Sequence, residues 1–289
     1  MKQYTSLYFV GAGGIGMSAL VRYFLAKGYK VAGYDRTQSP LTTELKTEGL
    51  EIVYEESVES IPDYCRNPET TLVVYTPAIP ASHAGLVYFR EHGFRVVKRA
   101  ELLGLITQSS KGLCFAGTHG KTTTSSMAAH IFHESPIGCN AFLGGILRNY
   151  NSNLILSEQS PFTVIEADEY DRSFHWLHPY MAVVTATDPD HLDIYGTEEA
   201  YLESFARFTS LIQPGGCLIM KKGIKLVPSV KENVKIYTYS ARDGGDFHAG
   251  NIRIGDGTIV FDFVMPEGSV ADIELGVPVE INIENAVAA

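Results

Sequence analysis

Several absences narrow what the 289-residue sequence can be. It has four cysteines, Cys65, Cys114, Cys139 and Cys217, scattered with no CxxC pair. No disulfide framework is indicated, and free thiols in a reducing compartment are expected. Positive charge is in short supply: 23 Lys and Arg stand against 33 Asp and Glu, a net charge of −10. A general nucleic-acid binder needs a basic face, so nucleic acid is excluded as a partner. No apolar run nears the ~18 residues that would cross a membrane. The opening stretch "MKQYTSLYFVGAGG" runs directly into a glycine loop without the pattern of a signal peptide. A cytoplasmic protein without a membrane partner is expected. There is no internal repeat and no low-complexity segment, and nothing sets an oligomeric state.

What is present is alternation. "SLYFV" reads as a strand ending at Gly11, and Met17, Leu20, Val21, Phe24 and Leu25 then recur at helical spacing until Gly28. A strand "YKVAGYD", a helix near 41–48, a strand "TLVVYTPAIP", a helix near 84–92, a strand "FRVVK" and a helix near 100–107 follow. Strands separated by helices predict a parallel α/β unit. The polar stretch "TQSSKG" suggests a boundary, giving domains 1–108 and 109–289. The second series opens with "LCFAG" and the helix "KTTTSSMAAHIFH". Strands are expected at "FTVIEAD", "YMAVVTA", "GGCLIMKK" and "VKIYTYS", with a helix at "TEEAYLESFARFTSLI". Asp256-Gly257 reads as a hairpin turn, and "NIENAVAA" opens a last helical pattern. The fold class is α/β: a Rossmann-like parallel-sheet domain, then a phosphate-loop-type α/β domain.

Four stretches carry chemistry. "GAGGIG" sets Gly11, Gly13, Gly14 and Gly16 between a strand and a helix, with Asp35 ending the next strand, near where an acid meets a ribose hydroxyl. Such glycines let a diphosphate approach backbone N–H groups at a positive helix end. The residue pattern alone leaves NAD or another nucleotide diphosphate open. "GTHGKTT" supplies Gly117, Thr118, His119, Gly120, Lys121, Thr122 and Thr123. Small residues permit close approach, Lys121 would bridge the β- and γ-phosphates, and the Thr122 hydroxyl would reach Mg²⁺. The loop is shorter than the general form, with Phe115 where a glycine would stand. "IEADEYDRSF" crowds Glu166, Asp168, Glu169 and Asp171 behind a strand, four carboxylates that repel one another unless cations intervene. A Mg²⁺ shared between Glu166 and a phosphate would resolve that repulsion. "DPDHLD" places His191 between Asp190 and Asp193 at a third strand end.

In this order and spacing, "GAGGIGMS", "GTHGKTTT", "EADEYDRSF" and "DPDHLD" resemble the Mur ligase family of peptidoglycan synthesis over essentially the whole chain. The resemblance implies three domains: one for a UDP-sugar, a central ATPase and a C-terminal domain. The sequence stops where the family's chains continue, so a fragment holding the first two is expected. It reassigns "GAGGIG" and Asp35 to the UDP-sugar diphosphate and ribose. It implies that residues 117–123 hold ATP, with Lys121 and Thr122 at the phosphates and Mg²⁺. Glu166 and His191 resemble a second metal site. Asp168, Asp171 and Ser173 resemble sugar-nucleotide contacts, and Asn282 and Asn285 a stretch near the adenine. Ile281 stands where the family often has histidine, and Ala186 where it usually has asparagine.

Within the family the resemblance is to the alanine-adding member, implying UDP-N-acetylmuramate, L-alanine and ATP as substrates and ATP and Mg²⁺ as cofactors. The implied reaction transfers the γ-phosphoryl of ATP to a carboxylate, and an amine then displaces phosphate. Lys121, Glu166 and His191 would be its catalytic residues, and the two-domain chain would fail to complete it. Alternatives are a ligase that recycles a murein tripeptide onto the same sugar, an NAD-dependent oxidoreductase resting on "GAGGIG", and a nucleotide-binding regulator without chemistry.

Overall fold

The computed structural model describes residues 3–289 except 243, 256 and 278. The chain divides into two compact units. The first comprises residues 1–106 and 142–156, and the second residues 107–141 and 157–289.

In the first unit, β1 (Ser6–Val10), β2 (Lys30–Tyr34), β3 (Glu51–Val53), β4 (Thr71–Tyr75) and β5 (Arg95–Lys98) form a sheet of order β3-β2-β1-β4-β5, parallel throughout. β1 is buried at every position, as expected of a central strand covered on both faces. Helices α1 (Ile15–Ala26), α2 (Pro40–Thr47), α3 (Ala84–Glu91) and α4 (Arg99–Gln108) make the crossovers. α2 starts as its sequence dictates: Ser39 and Thr42 form a reciprocal cap and Pro40 takes the first turn. α1 ends before Gly28, at φ 81°. Strand order reverses at β1, between β2 and β4, and the glycine loop leaves the sheet there.

The second unit is built on β6 (Lys111–Ala116), followed by α5 (Lys121–Glu134). The chain then makes β7 (Asn140–Leu147) and β8 (Ser152–Ile155), most of which belongs to the first unit. There the Asn153 side chain, 2% exposed, donates to the Ile15 carbonyl at 2.5 Å and holds the head of α1. Nothing in the residue pattern signalled this excursion. β9 (Phe162–Glu166), β10 (Pro179–Val184), α6 (Leu192–Tyr195), α7 (Glu198–Ser210), β11 (Cys217–Lys221) and β12 (Lys235–Ser240) follow. β13 (Phe247–Gly255), β14 (Thr258–Met265) and β15 (Gly268–Leu275) form an antiparallel meander before α8 (Ile281–Ala288). The expected Asp256-Gly257 turn includes residue 256, outside the described residues. From one edge the strands run β15-β14-β13-β12-β11-β10-β6-β9, with β9, β6, β10, β11 and β12 mutually parallel.

The cysteines are free, and three of them are buried. No helix among the described residues is long and apolar enough to cross a membrane.

An aromatic cluster supports the segment after β9. Phe174, fully buried, stacks on Phe208 at 4.9 Å between ring centroids and meets Phe205 edge-on at 5.2 Å; Tyr201 and Tyr195 extend the cluster. Phe174→Ala should cost about 3–5 kcal/mol, the usual loss for emptying a buried aromatic position. Trp176, the one tryptophan, stands two residues away, so urea unfolding followed by its fluorescence measures the loss directly.

Candidate functional site

The register of the second sheet determines what meets what. Phe115 of β6 lies beside Glu166 of β9, and Ala116 beside Val184 of β10. The loop after β6 therefore leaves the sheet between the acidic segment after β9 and the "DPDH" segment after β10. All three sit at carboxyl ends of parallel strands, where open α/β sheets bind ligands.

The loop's conformation requires its glycines. Gly117 has φ 141°, and a Cβ there would meet the Thr185 hydroxyl at 2.2 Å and the Ala186 nitrogen at 2.8 Å. Gly120 caps α5 in the left-handed region, φ 83°, with Asn285 Oδ1 2.9 Å from where a Cβ would stand. Side chains tie the loop down from behind. The Thr185 hydroxyl contacts the carbonyls of Ala116 and His119. The Thr118 hydroxyl donates to the Asp188 carbonyl at 2.7 Å and lies 2.9 Å from the Tyr201 hydroxyl. The Thr124 hydroxyl donates to Asn285 Oδ1 at 3.2 Å, and Asn285 donates to Asn282 Oδ1 at 3.2 Å. Thr118 N–H donates to the Ala186 carbonyl. The N–H groups of residues 119–123 have no acceptor among the described residues, an arrangement suited to an anion.

Lys121 Nζ donates to the Gly117 carbonyl at 2.8 Å and to Glu169 Oε1 at 2.9 Å. Glu169 is 1% exposed, and its other oxygen, like Glu166 Oε2, is buried without a hydrogen-bond partner among the described residues. Burial pushes the Glu169 carboxyl above the usual carboxylate range, and the Lys121 ammonium opposes that shift. The Tyr195 hydroxyl donates to the Glu169 carbonyl at 2.5 Å. His191 Nε2 lies 3.9 Å from Glu169 Oε1 and 3.7 Å from Asp190 Oδ2. Asp171, Arg172 and His191 all adopt positive φ, between 51° and 54°, a cluster of strained backbone of the kind found at functional sites.

Of the residues expected from the sequence, Lys121 and His191 approach Glu169, Lys121 also binds the Gly117 carbonyl, Thr118 is held by Asp188 and Tyr201, and Gly120 lies beside Asn285. Glu166 stands at the adjacent strand end, and Thr122 and Thr123 are exposed at the head of α5. Asn285 is buried and braces the loop from below. Asp168, Asp171 and Ser173 lie on the turn after β9, with Asp171 exposed. Glu169 was counted in the acidic cluster and given no role; Thr185, Tyr195 and Tyr201 carried no signal at all. Glu166 and Glu169 offer two buried carboxylate oxygens in want of partners, which suits a hard cation. No group of three His, Cys, Asp or Glu side chains among the described residues is gathered to hold a metal ion, so a cation would complete its shell with water or phosphate oxygens. Beside the segment after β10, a cavity of about 300 Å³ is lined by Ala186, Thr187, Asp188, Lys221, Lys222 and Lys225, among others.

The glycine loop of the first unit is treated separately. Gly13 N–H donates to Asp35 Oδ2 at 2.7 Å and Thr37 N–H to Oδ1 at 3.0 Å. Asp35 thus braces the loop itself. Gly11 and Ala12 N–H groups donate to the Tyr34 carbonyl. The N–H groups of Gly14, Ile15 and Gly16 at the head of α1 have no acceptor among the described residues. A Cβ on Gly14 would make only ordinary contacts, with Met17 Cγ 3.9 Å and the Gly11 carbonyl oxygen 4.0 Å away. The Arg99 guanidinium stands beside Gly16, a cation the sequence reading did not single out.

Two α/β units, one with a lysine-bearing glycine loop at the carboxyl end of a parallel strand, define the class. Comparison with known proteins is specific. The profile of the Mur ligase middle domain matches residues 115–289, and that of the Mur ligase family, catalytic domain, matches residues 6–111. The chain belongs to the Mur ligase family. It is 66% identical over 289 residues to a UDP-N-acetylmuramate–L-alanine ligase of Parabacteroides distasonis, covering 100% of this chain and 63% of that protein. It is 54% identical over 284 residues to one of Porphyromonas gingivalis, covering 98% and 62%. The chain thus spans a little over three-fifths of the length of these curated relatives. The fold matches two solved structures. One is UDP-N-acetylmuramate:L-alanyl-γ-D-glutamyl-meso-diaminopimelate ligase from Neisseria meningitides, with a TM-score of 0.83, 21% identity, and coverage of 99% of this chain and 91% of that one. The other is UDP-N-acetylmuramate–alanine ligase from Thermotoga maritima, with a TM-score of 0.80, 24% identity, and coverage of 98% and 63%.

The buried pair gives a sharp test. Lys121→Met leaves Glu169 buried without its cation and should destabilise by about 3 kcal/mol. Adding Glu169→Gln should then recover much of the loss, although Glu169→Gln alone destabilises. Thermal melts of the four proteins check this reversal of sign.

Proposed function

We propose that this chain is the sugar-nucleotide- and ATP-binding part of a ligase that joins L-alanine to the lactyl carboxylate of UDP-N-acetylmuramate. The observation that carries the reading is the 66% identity, over the chain's whole length, to a protein of that name. The chemistry needs an activated carboxylate, because oxide is too poor a leaving group to be displaced by an amine. The γ-phosphoryl of ATP passes to the carboxylate, and the amine of alanine displaces phosphate from the acyl phosphate.

The chain's contribution is positioning and charge neutralisation. The free N–H groups of residues 119–123 and the Lys121 ammonium would hold the β- and γ-phosphates. The cavity beside Asp188 offers room for the nucleoside. Glu166, His191 and the Thr122 hydroxyl would hold Mg²⁺ together with phosphate oxygens; when bound, the ion neutralises charge on the transferring phosphoryl group. In the first unit, the N–H groups of Gly14, Ile15 and Gly16 would bind the UDP diphosphate, with Arg99 supplying positive charge. Asp168, Asp171 and Ser173 would contact the sugar nucleotide, and Asn282 would lie toward the adenine.

Calorimetric titration of the 289-residue chain with UDP-N-acetylmuramate, Mg·ATP and NADH tests the reading. The first two should bind and NADH should not; tight NADH binding without the sugar nucleotide would return the protein to the oxidoreductases. Gly14→Val should abolish sugar-nucleotide binding, because its branched side chain would crowd the N–H groups at the head of α1. Its melting temperature should stay near that of the parent, since the Gly14 backbone, φ −69° and ψ 145°, suits a β-branched residue. Joined to a C-terminal domain to reach the length of its curated relatives, this sequence should support incorporation of labelled L-alanine in preference to the tripeptide.

A further inference from the structure

Lys121 is the phosphate loop's one lysine, and its charge is already spent. Its ammonium has three protons; one is given to the Gly117 carbonyl and one to Glu169. The pair is sequestered, with side-chain exposures of 15% for Lys121 and 2% for Glu169. An incoming polyphosphate therefore meets an ammonium whose charge a buried carboxylate has cancelled. The third proton can still reach a phosphate oxygen, but that brings phosphate and carboxylate, like charges, onto the same cation in a poorly solvated place. The nearest further base is His191, itself flanked by Asp190. Meanwhile Glu169 Oε2 and Glu166 Oε2 are buried with no donor to satisfy them. A divalent cation answers both problems. It gives the carboxylate oxygens a partner and offsets the phosphate charge, releasing Lys121 to the phosphate.

We propose that Glu169 makes polyphosphate binding at residues 117–123 conditional on a divalent cation, by neutralising Lys121 in the empty loop and yielding it only to a phosphate that brings its own cation. Glu169 is then a positioning residue acting through Lys121, and the inference rests on the phosphate-loop reading given above. Glycine and lysine make the loop a phosphate binder; Glu169 makes it discriminate against the metal-free ligand.

The test is equilibrium binding of ATP and of inorganic tripolyphosphate to the 289-residue chain, each measured in Mg²⁺ and in EDTA. The proteins are the parent, Glu169→Gln, Glu169→Asp and Lys121→Ala. The parent should bind each magnesium form at least about tenfold more tightly than the metal-free form. Glu169→Gln should narrow that ratio to about threefold or less, through stronger metal-free binding. Glu169→Asp, which keeps the charge and withdraws it by one methylene, should fall between. A folded Glu169→Gln with the parent's ratio overturns the proposal. So does equal weakening of both forms, which would make Glu169 a structural support only. If Glu169→Gln does not fold by circular dichroism, the ratio for Glu169→Asp decides in the same way. A parent that binds neither form, or Lys121→Ala binding like the parent, overturns the phosphate-loop reading itself and is thereby told apart from failure of the Glu169 proposal.

Discussion

The ion pair between Lys121 and Glu169 is the constraint around which the second unit is arranged. A buried ion pair is tolerated only where its geometry is good and its remaining atoms have partners. The pair meets that condition on one side. Nζ reaches the Gly117 carbonyl because Gly117 and Gly120 take backbone conformations closed to other residues. Glu169 reaches Nζ because its own carbonyl is held by Tyr195 and the turn that follows is pinned by Phe174. On the other side two carboxylate oxygens remain unsatisfied. A structure that brings this much apparatus to one ammonium and leaves that deficit is arranged for a ligand.

The two glycine loops solve a shared problem by different means. Each leaves the carboxyl end of a central parallel strand and turns into a helix whose first N–H groups have no partner. In the first, an acid is spent on the loop: Asp35 accepts from Gly13 and Thr37 and fixes the turn. Positive charge comes from the helix end and from Arg99, which sits beside Gly16. In the second, neutral groups fix the turn, namely the hydroxyls of Thr118, Thr124 and Thr185. The acid is spent on the lysine. A braced loop with a guanidinium beside its helix end suits a diphosphate that stays intact. A loop whose cation is held in check suits a polyphosphate whose charge changes during reaction.

Much of this was legible in the sequence because it is local. Strands such as "SLYFV" are continuous apolar runs, glycine punctuates the turns, and a lysine followed by threonines needs only its immediate neighbours to be recognised. The same holds for the last helix, expected from "NIENAVAA". What was illegible depends on contacts far apart in the chain. The β7–β8 excursion has strand character, yet its membership of the first unit rests on Asn153 reaching Ile15, 138 residues away. The role of Glu169 depends on which of four neighbouring carboxylates turns inward. That is decided by the positive-φ kink at Asp171 and Arg172 and by aromatic packing from α7. Asp35 was expected near a ribose; that it accepts from Gly13 N–H and braces its own loop is a contact that spacing alone could not show.

The overall charge of −10 looks ill suited to a chain offering two loops to anionic ligands. Net charge acts at long range and is screened within about 10 Å at ordinary ionic strength, whereas binding is decided within hydrogen-bonding distance. At that range the loops present N–H groups, a guanidinium and an ammonium. The acids nearest the second loop, Glu166, Glu169 and Asp190, then become part of its selectivity. On the proposal made above, they would penalise an anion that arrives alone and reward one that arrives with a cation. The acidic composition and the proposed phosphate loop are thus compatible: on that proposal the carboxylates would set the terms on which the loop accepts its ligand.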